Sequence, residues 1–124
     1  MKEKDQAIHL AQILYDRKAR DITALDVHHL TVLTDYLVIA SGNNALQVKA
    51  LAEHVDAKAA EMGLEMRRQE GQQEGRWIVM DFNTIIVHIF HQEDRDYYRL
   101  DHLWSDGTNR LSLLFEEEAR ETLA

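Results

Sequence analysis

YLVIASGNNALQVKALAEHVDAKAAEMG, residues 36–63, is the stretch that decides the fold. Residues 36–42 run apolar without alternation and stop at Ser41-Gly42. A strand with one wet face alternates, whereas a continuous apolar run marks a strand buried on both faces. The period then changes. Val48, Leu51, Ala52, Val55, Ala59 and Met62 recur at helical spacing and form one unbroken stripe. Asn43 or Asn44 can cap the first turn of this helix, and Gly63 stands where a C-terminal cap belongs. A buried strand followed by a crossover helix predicts at least one parallel strand pair.

Working outward, residues 3–19 read as an amphipathic helix with Ile8, Ala11, Tyr15 and Lys18 at helical spacing, flanked by Ala7, Leu10 and Leu14. DITALDV (21–27) is rich enough in branched residues for a strand. On the other side, LEMRRQE (64–70) reads as a short strand and GQQEG (71–75) as a connection with two glycines. RWIVMDF (76–82) and IIVHIF (85–90) then form a hairpin across Asn83-Thr84, although Thr suits a two-residue turn poorly because such turns demand positive φ. A charged helix with aromatics is predicted over 92–104, with Leu100, Leu103 and Trp104 inward, broken by Asp106-Gly107. Leu111, Leu114, Phe115 and Ala119 predict a last short helix within 109–122.

These elements predict an α/β fold, a mixed sheet of about five strands with helices packed on it. With 124 residues, no proline and no repeat, the chain reads as a single domain. Residues 1–106 form the main unit, and 107–124 are expected as a helical tail packed on that same unit.

The hairpin register sorts side chains into two faces. Phe82 opposes Ile85, Met80 opposes Val87 and Ile78 opposes Ile89, a fully apolar set that belongs in the core. The other face carries Trp77, Val79 and Asp81 from one strand and Ile86, His88 and Phe90 from the next. That face is neither a clean core nor a clean solvent face. Either a helix of the same chain covers it, or part stays open for a partner. Trp and Tyr are enriched where binding energy concentrates, and a neighbouring carboxylate favours a basic partner.

Composition narrows the choice of partner. The formal net charge is −8 and there is no cysteine, so thiolate metal sites and disulfides are excluded. An acidic surface repels phosphate backbones, and no basic stripe is present, so direct sequence-specific nucleic-acid binding is not expected. The charged N-terminus MKEKDQAIHL lacks a signal-peptide core, and no apolar run approaches the ~18–20 residues of a membrane helix. A cytoplasmic location and no membrane partner are therefore expected.

No catalytic constellation stands out, so no cofactor and no enzymatic activity are expected. Of seven histidines, His28 and His29 are adjacent, and neighbours on an extended chain point to opposite faces. His88 and His91 diverge at a strand end, and His9, His54 and His102 lie on helices outside any H-E-x-x-H pattern. Asp81 and His88 could meet across the hairpin diagonal as an acid–base pair, with Ser41 as the one suggestive nucleophile, but G-x-S-x-G is absent. SGNNALQVK holds a helix N-terminus without a phosphate-loop pattern. The Ser41-Gly42 turn keeps one alternative open, a nucleotide-binding or nucleotidyltransferase-like enzyme.

Four segments, DITALDV (21–27), TDYLVIASGNNALQVKALAEHV (34–55), EGRWIVMDFNTIIVHIF (74–90) and RDYYRLDHLW (95–104), resemble in order and spacing the successive signatures of the Iojap, or ribosomal silencing factor, family. The resemblance spans about residues 3–105. It implies a nucleotidyltransferase-like topology without the catalytic carboxylates. It also implies binding to the fourteenth protein of the large ribosomal subunit, a block on joining of the small subunit, and translational repression when nutrients are scarce. Homodimers are implied for the free protein. The family's Trp-to-Asp strand matches Trp77 and Asp81, and its C-terminal motif matches Tyr98, Leu100 and Trp104. Trp77 and Tyr98 are the leading partner contacts by this resemblance, Asp81 adds charge, and Leu100 and Trp104 serve contact or packing. Asn83-Thr84 departs from the family's usual Gly-Asp, so the loop shape there is expected to differ.

Overall fold

The computed structural model describes residues 2–116, leaving aside the side chains of residues 96–98. Its elements are α1 (Glu3–Asp16), β1 (Arg20–Asp26), β2 (Tyr36–Gly42), α2 (Ala45–Glu61), β3 (Arg68–Glu70), β4 (Trp77–Asp81), β5 (Ile85–His91), α3 (Gln92–Tyr98) and α4 (Leu100–Leu103). The five strands form one mixed sheet in the order β1-β2-β5-β4-β3. β2 and β5 pair in parallel, as the crossover predicts, and the other three pairings are antiparallel. β2 is buried from Leu37 to Gly42, which is why its sequence does not alternate.

Helices α1 and α2 cover one face of the sheet and enclose the main core. Val48, Leu51, Ala52, Val55 and Ala59 of α2 are all buried, so the predicted stripe is the contact stripe. Asn44 opens α2: its side-chain oxygen accepts from the Gln47 amide at 2.8 Å and satisfies one orphan donor of the first turn. Asn44→Ala is expected to cost about 1 kcal/mol, lowering Tm by about 4 °C for a chain of this size. A thermal scan checks this, and an unchanged Tm would contradict it.

The structure departs from the sequence reading at three helix ends. α1 stops at Asp16 because Lys18 adopts a left-handed φ of 70°. The amides of Lys18 and Ala19 turn back to the carbonyls of Tyr15 and Leu14 at 3.0 Å each. That double bond closes a helix in the way glycine commonly does, here on a lysine that carries no sequence signal. The helix expected over 92–104 is two helices, split at Arg99 with φ 49°. Arg95 explains the split. Its guanidinium is buried, donates to the Ser41 hydroxyl at 2.8 Å and lies 3.6 Å from Asp101, which ties α3 to the end of β2 and to the start of α4.

The third departure concerns the tail. Residues 110–113 are not helical: Arg110 bridges to Leu25, and the Leu111 amide donates to the Ala24 carbonyl at 2.9 Å. Leu111 and Leu113 are buried while Leu114 is exposed, a spacing of two that satisfies the open edge of β1. A helical turn covers 114–116, and the remainder of the expected tail helix lies outside the described residues.

Candidate partner-binding face

The second face of the sheet carries the side chains singled out above. In the β4–β5 register Trp77 pairs with Phe90, Val79 with His88 and Asp81 with Ile86. Across β5 and β2 the row continues from Ile86 to Leu37 and from His88 to Ile39. Leu25, Val27, Leu37, Ile39 and Phe90 make a second buried cluster, roofed by Leu100 and Trp104 from the α4 segment. Cover by the chain's own helices is therefore real, but among the described residues it lies over the β1, β2 and Phe90 side of the face. Trp77, Val79, Ile86 and His88 remain half-buried along β4 and β5.

Trp77 is held firmly. Its ring stacks on Phe90 with centroids 5.0 Å apart, and its indole N–H donates to Nδ1 of His88 at 3.0 Å. The connection from β3 lies so close that a Cβ on Gly71, where φ is +86°, would meet the Trp77 carbonyl oxygen at 1.9 Å. Only glycine fits there. At the other end, Arg76 grips Asp94 through two bonds of 2.9 and 3.0 Å and ties the start of α3 to β4. His91 caps α3 by accepting from the Glu93 amide at 3.2 Å.

His88 must be neutral to accept from the indole, so its remaining ring proton sits on Nε2. Burial against this apolar face pushes its pKa down from 6.5 to about 4. Because the folded value lies below the unfolded one, the unfolded chain takes up the proton first as pH falls. Stability is whole above about pH 6.5 and declines toward pH 4. The loss is expected to reach about 3 kcal/mol, from 1.36 kcal/mol per unit. Urea titrations of wild type and His88→Gln across that range check it. A decline of equal size in the variant would contradict the assignment to His88.

Asp81 shares the face with Trp77 but also has a local task. Its Oδ1 accepts from the Asn83 amide at 2.8 Å, and Asn83 carries the turn's positive φ of 76°. The Thr84 amide closes onto the Phe82 carbonyl at 3.0 Å, and Arg67 donates to the Asn83 side chain at 2.7 Å. The hairpin thus needs one left-handed residue, and Asn tolerates it better than Thr would. The supposed acid–base pair is not assembled: Asp81 serves the turn, while His88 faces Trp77. Ser41 is buried and accepts from Arg95, which makes it an anchor for α3. Sequence reading passed over Arg95, whose charge sits in a solvated-looking run. The side chain of Tyr98 lies outside the described residues.

Fold and face together define a class: an α/β domain whose mixed sheet is roofed by helices on one side and half-roofed on the other. A family model described as "Ribosomal silencing factor during starvation" matches residues 1–123, and the chain belongs to that family. The Bacillus subtilis ribosomal silencing factor RsfS is 40% identical over 92 residues, covering 74% of this chain and 78% of that protein. A crystal structure of a Chromobacterium violaceum protein superposes with a TM-score of 0.81 at 33% identity, covering 92% of this chain and 93% of the other. A more distant mouse relative, named "Mitochondrial assembly of ribosomal large subunit protein 1", is 27% identical over 77% of this chain and 43% of its own length.

Proposed function

We propose that this chain silences ribosomes by docking the open half of the second sheet face onto the fourteenth protein of the large subunit. The bound chain then blocks joining of the small subunit and represses translation when nutrients are scarce. The observation that carries this reading is the band of Trp77, Val79, Ile86 and His88, only partly buried beside a roofed core, in a member of the silencing family. A rigid aromatic anchor on an acidic chain suits a basic protein partner, and the net charge of −8 supplies the steering. The mouse relative's name, which links it to large-subunit assembly, supports the choice of subunit. The reading involves no catalysis and places the protein in the cytoplasm; no described helix is long and apolar enough to cross a membrane.

In this reading Trp77 is the main contact, with Tyr98 as a second contact and Asp81 adding negative charge. Leu100 and Trp104 shape the neighbouring roof. The free chain is a homodimer that gives way to the ribosome-bound monomer. Sedimentation over a range of concentrations, with and without large subunits, tests both parts. Self-association that yields to added large subunits is expected; a monomer that ignores them would overturn the proposal.

A further inference from the structure

His28 and His29 do not diverge as neighbours on an extended chain would. β1 ends at Asp26, and the chain turns at once: the amides of Leu30 and Thr31 both donate to the Val27 carbonyl, at 2.9 and 3.2 Å. The turn brings the two imidazoles to a centroid separation of 5.3 Å. Donor atoms of Asp26, His28 and His29 all lie within 4.8 Å of one another. Nδ1 of His28 contacts the Asp26 carboxylate, and Nε2 of His29 lies 2.7 Å from Oδ2 of Asp106.

From these contacts we infer that Asp26, His28, His29 and Asp106 bind a divalent transition-metal ion of the zinc class. The donors are two imidazoles and two carboxylates, a mixed nitrogen–oxygen set that suits zinc, cobalt or nickel better than magnesium or calcium, which prefer all-oxygen shells. Four donors around a tetrahedral ion at about 2.0–2.2 Å sit roughly 3.4 Å apart. The 4.8 Å spread of Asp26, His28 and His29, with Asp106 held 2.7 Å from His29, closes to that by small rotations of exposed rings, His28 being 62% and His29 41% accessible. Metal binding requires Nδ1 of His28 and Nε2 of His29 to be free of protons, so each ring keeps its single proton on the other nitrogen.

The outer partners of such a site are already in place. Oδ1 of Asp106 accepts from the amide and the hydroxyl of Thr108, at 2.8 Å each, which leaves Oδ2 directed at His29. The Asn109 side chain donates to the Asp26 and Trp104 carbonyls, at 2.9 Å each. Donors fixed by such contacts need little reorganisation to receive an ion. The cluster also borders an open groove of about 820 Å³, which gives the ion a path in. An ion here would join the end of β1 to the loop after α4 and so fasten the Leu100–Trp104 roof beside the open half-face.

Titration of the tag-free full chain with cobalt(II), followed by visible absorption and calorimetry, tests the site. Saturable binding at one ion per chain is expected. His29→Ala and Asp106→Asn should each weaken it at least about tenfold, the scale of loss seen even for outer partners, while His9→Ala should leave it unchanged. Zinc should raise Tm in wild type and not in His29→Ala. Both histidines are surface residues, and circular dichroism will show whether the variants keep the fold. Non-saturable uptake, or equal affinity in His29→Ala and Asp106→Asn, would overturn the inference.

Discussion

Trp77→Ala is expected to weaken binding to isolated large ribosomal subunits by roughly thirtyfold or more, a loss of about 2 kcal/mol typical of a central aromatic anchor. The indole is fixed before any partner arrives, by stacking on Phe90 at 5.0 Å and by its bond to His88 at 3.0 Å. Little rotamer freedom therefore remains to be lost on docking. Trp77 is only half-buried, so the fold should survive the truncation with a smaller deficit. Trp77→Phe keeps an aromatic ring on Phe90 while giving up the five-membered ring and its N–H bond to His88, which makes it a guard against misfolding. Gradient binding assays with urea titrations alongside separate affinity from stability. An alanine variant that binds as tightly as wild type would remove Trp77 from the interface.

Phe90→Ala is expected to have the largest effect on stability, about 3–5 kcal/mol for a fully buried aromatic. Phe90 is 0% exposed and belongs to the second cluster with Leu25, Val27, Leu37 and Ile39, on the side of the sheet that α1 and α2 do not reach. Total stability of a domain this size is about 5–15 kcal/mol, so the variant should sit near the edge of unfolding at 37 °C. Phe90 is also the surface on which Trp77 rests. Folded Phe90→Ala molecules should consequently bind large subunits less well, because the anchor loses its support. A loss below about 1 kcal/mol in urea titrations would mean that the second cluster contributes little.

Much of this fold is legible in the sequence. The unalternating run of 36–42 and the α2 stripe are strong signals because burial on both faces and helical periodicity leave few alternatives. The hairpin faces followed from a period of two, and the β4–β5 register reproduces them pair by pair. Ends and turns were harder. Lys18 and Arg99 take left-handed conformations that glycine usually announces, so periodicity alone predicts α1 too long and α3 and α4 as one helix. In the tail, Leu111, Leu113, Leu114 and Phe115 offer both a helical and an extended period, and the open edge of β1 decides for the second. The convergence of His28 and His29 with Asp26 and Asp106 depends on a turn without glycine or proline and on a contact 77 residues along the chain. The half-roof over the second face was open in the sequence, because helix cover and partner cover leave the same pattern of apolar residues.

Subunit joining in a purified system tests the central claim most directly. Separated small and large subunits are mixed at joining magnesium with increasing amounts of the chain, and the products are resolved on a sucrose gradient. The account predicts that joined ribosomes fall in proportion to added protein, that the chain travels with the large subunit alone, and that Trp77→Ala restores joining. Undiminished joining with the chain left at the top of the gradient would contradict it.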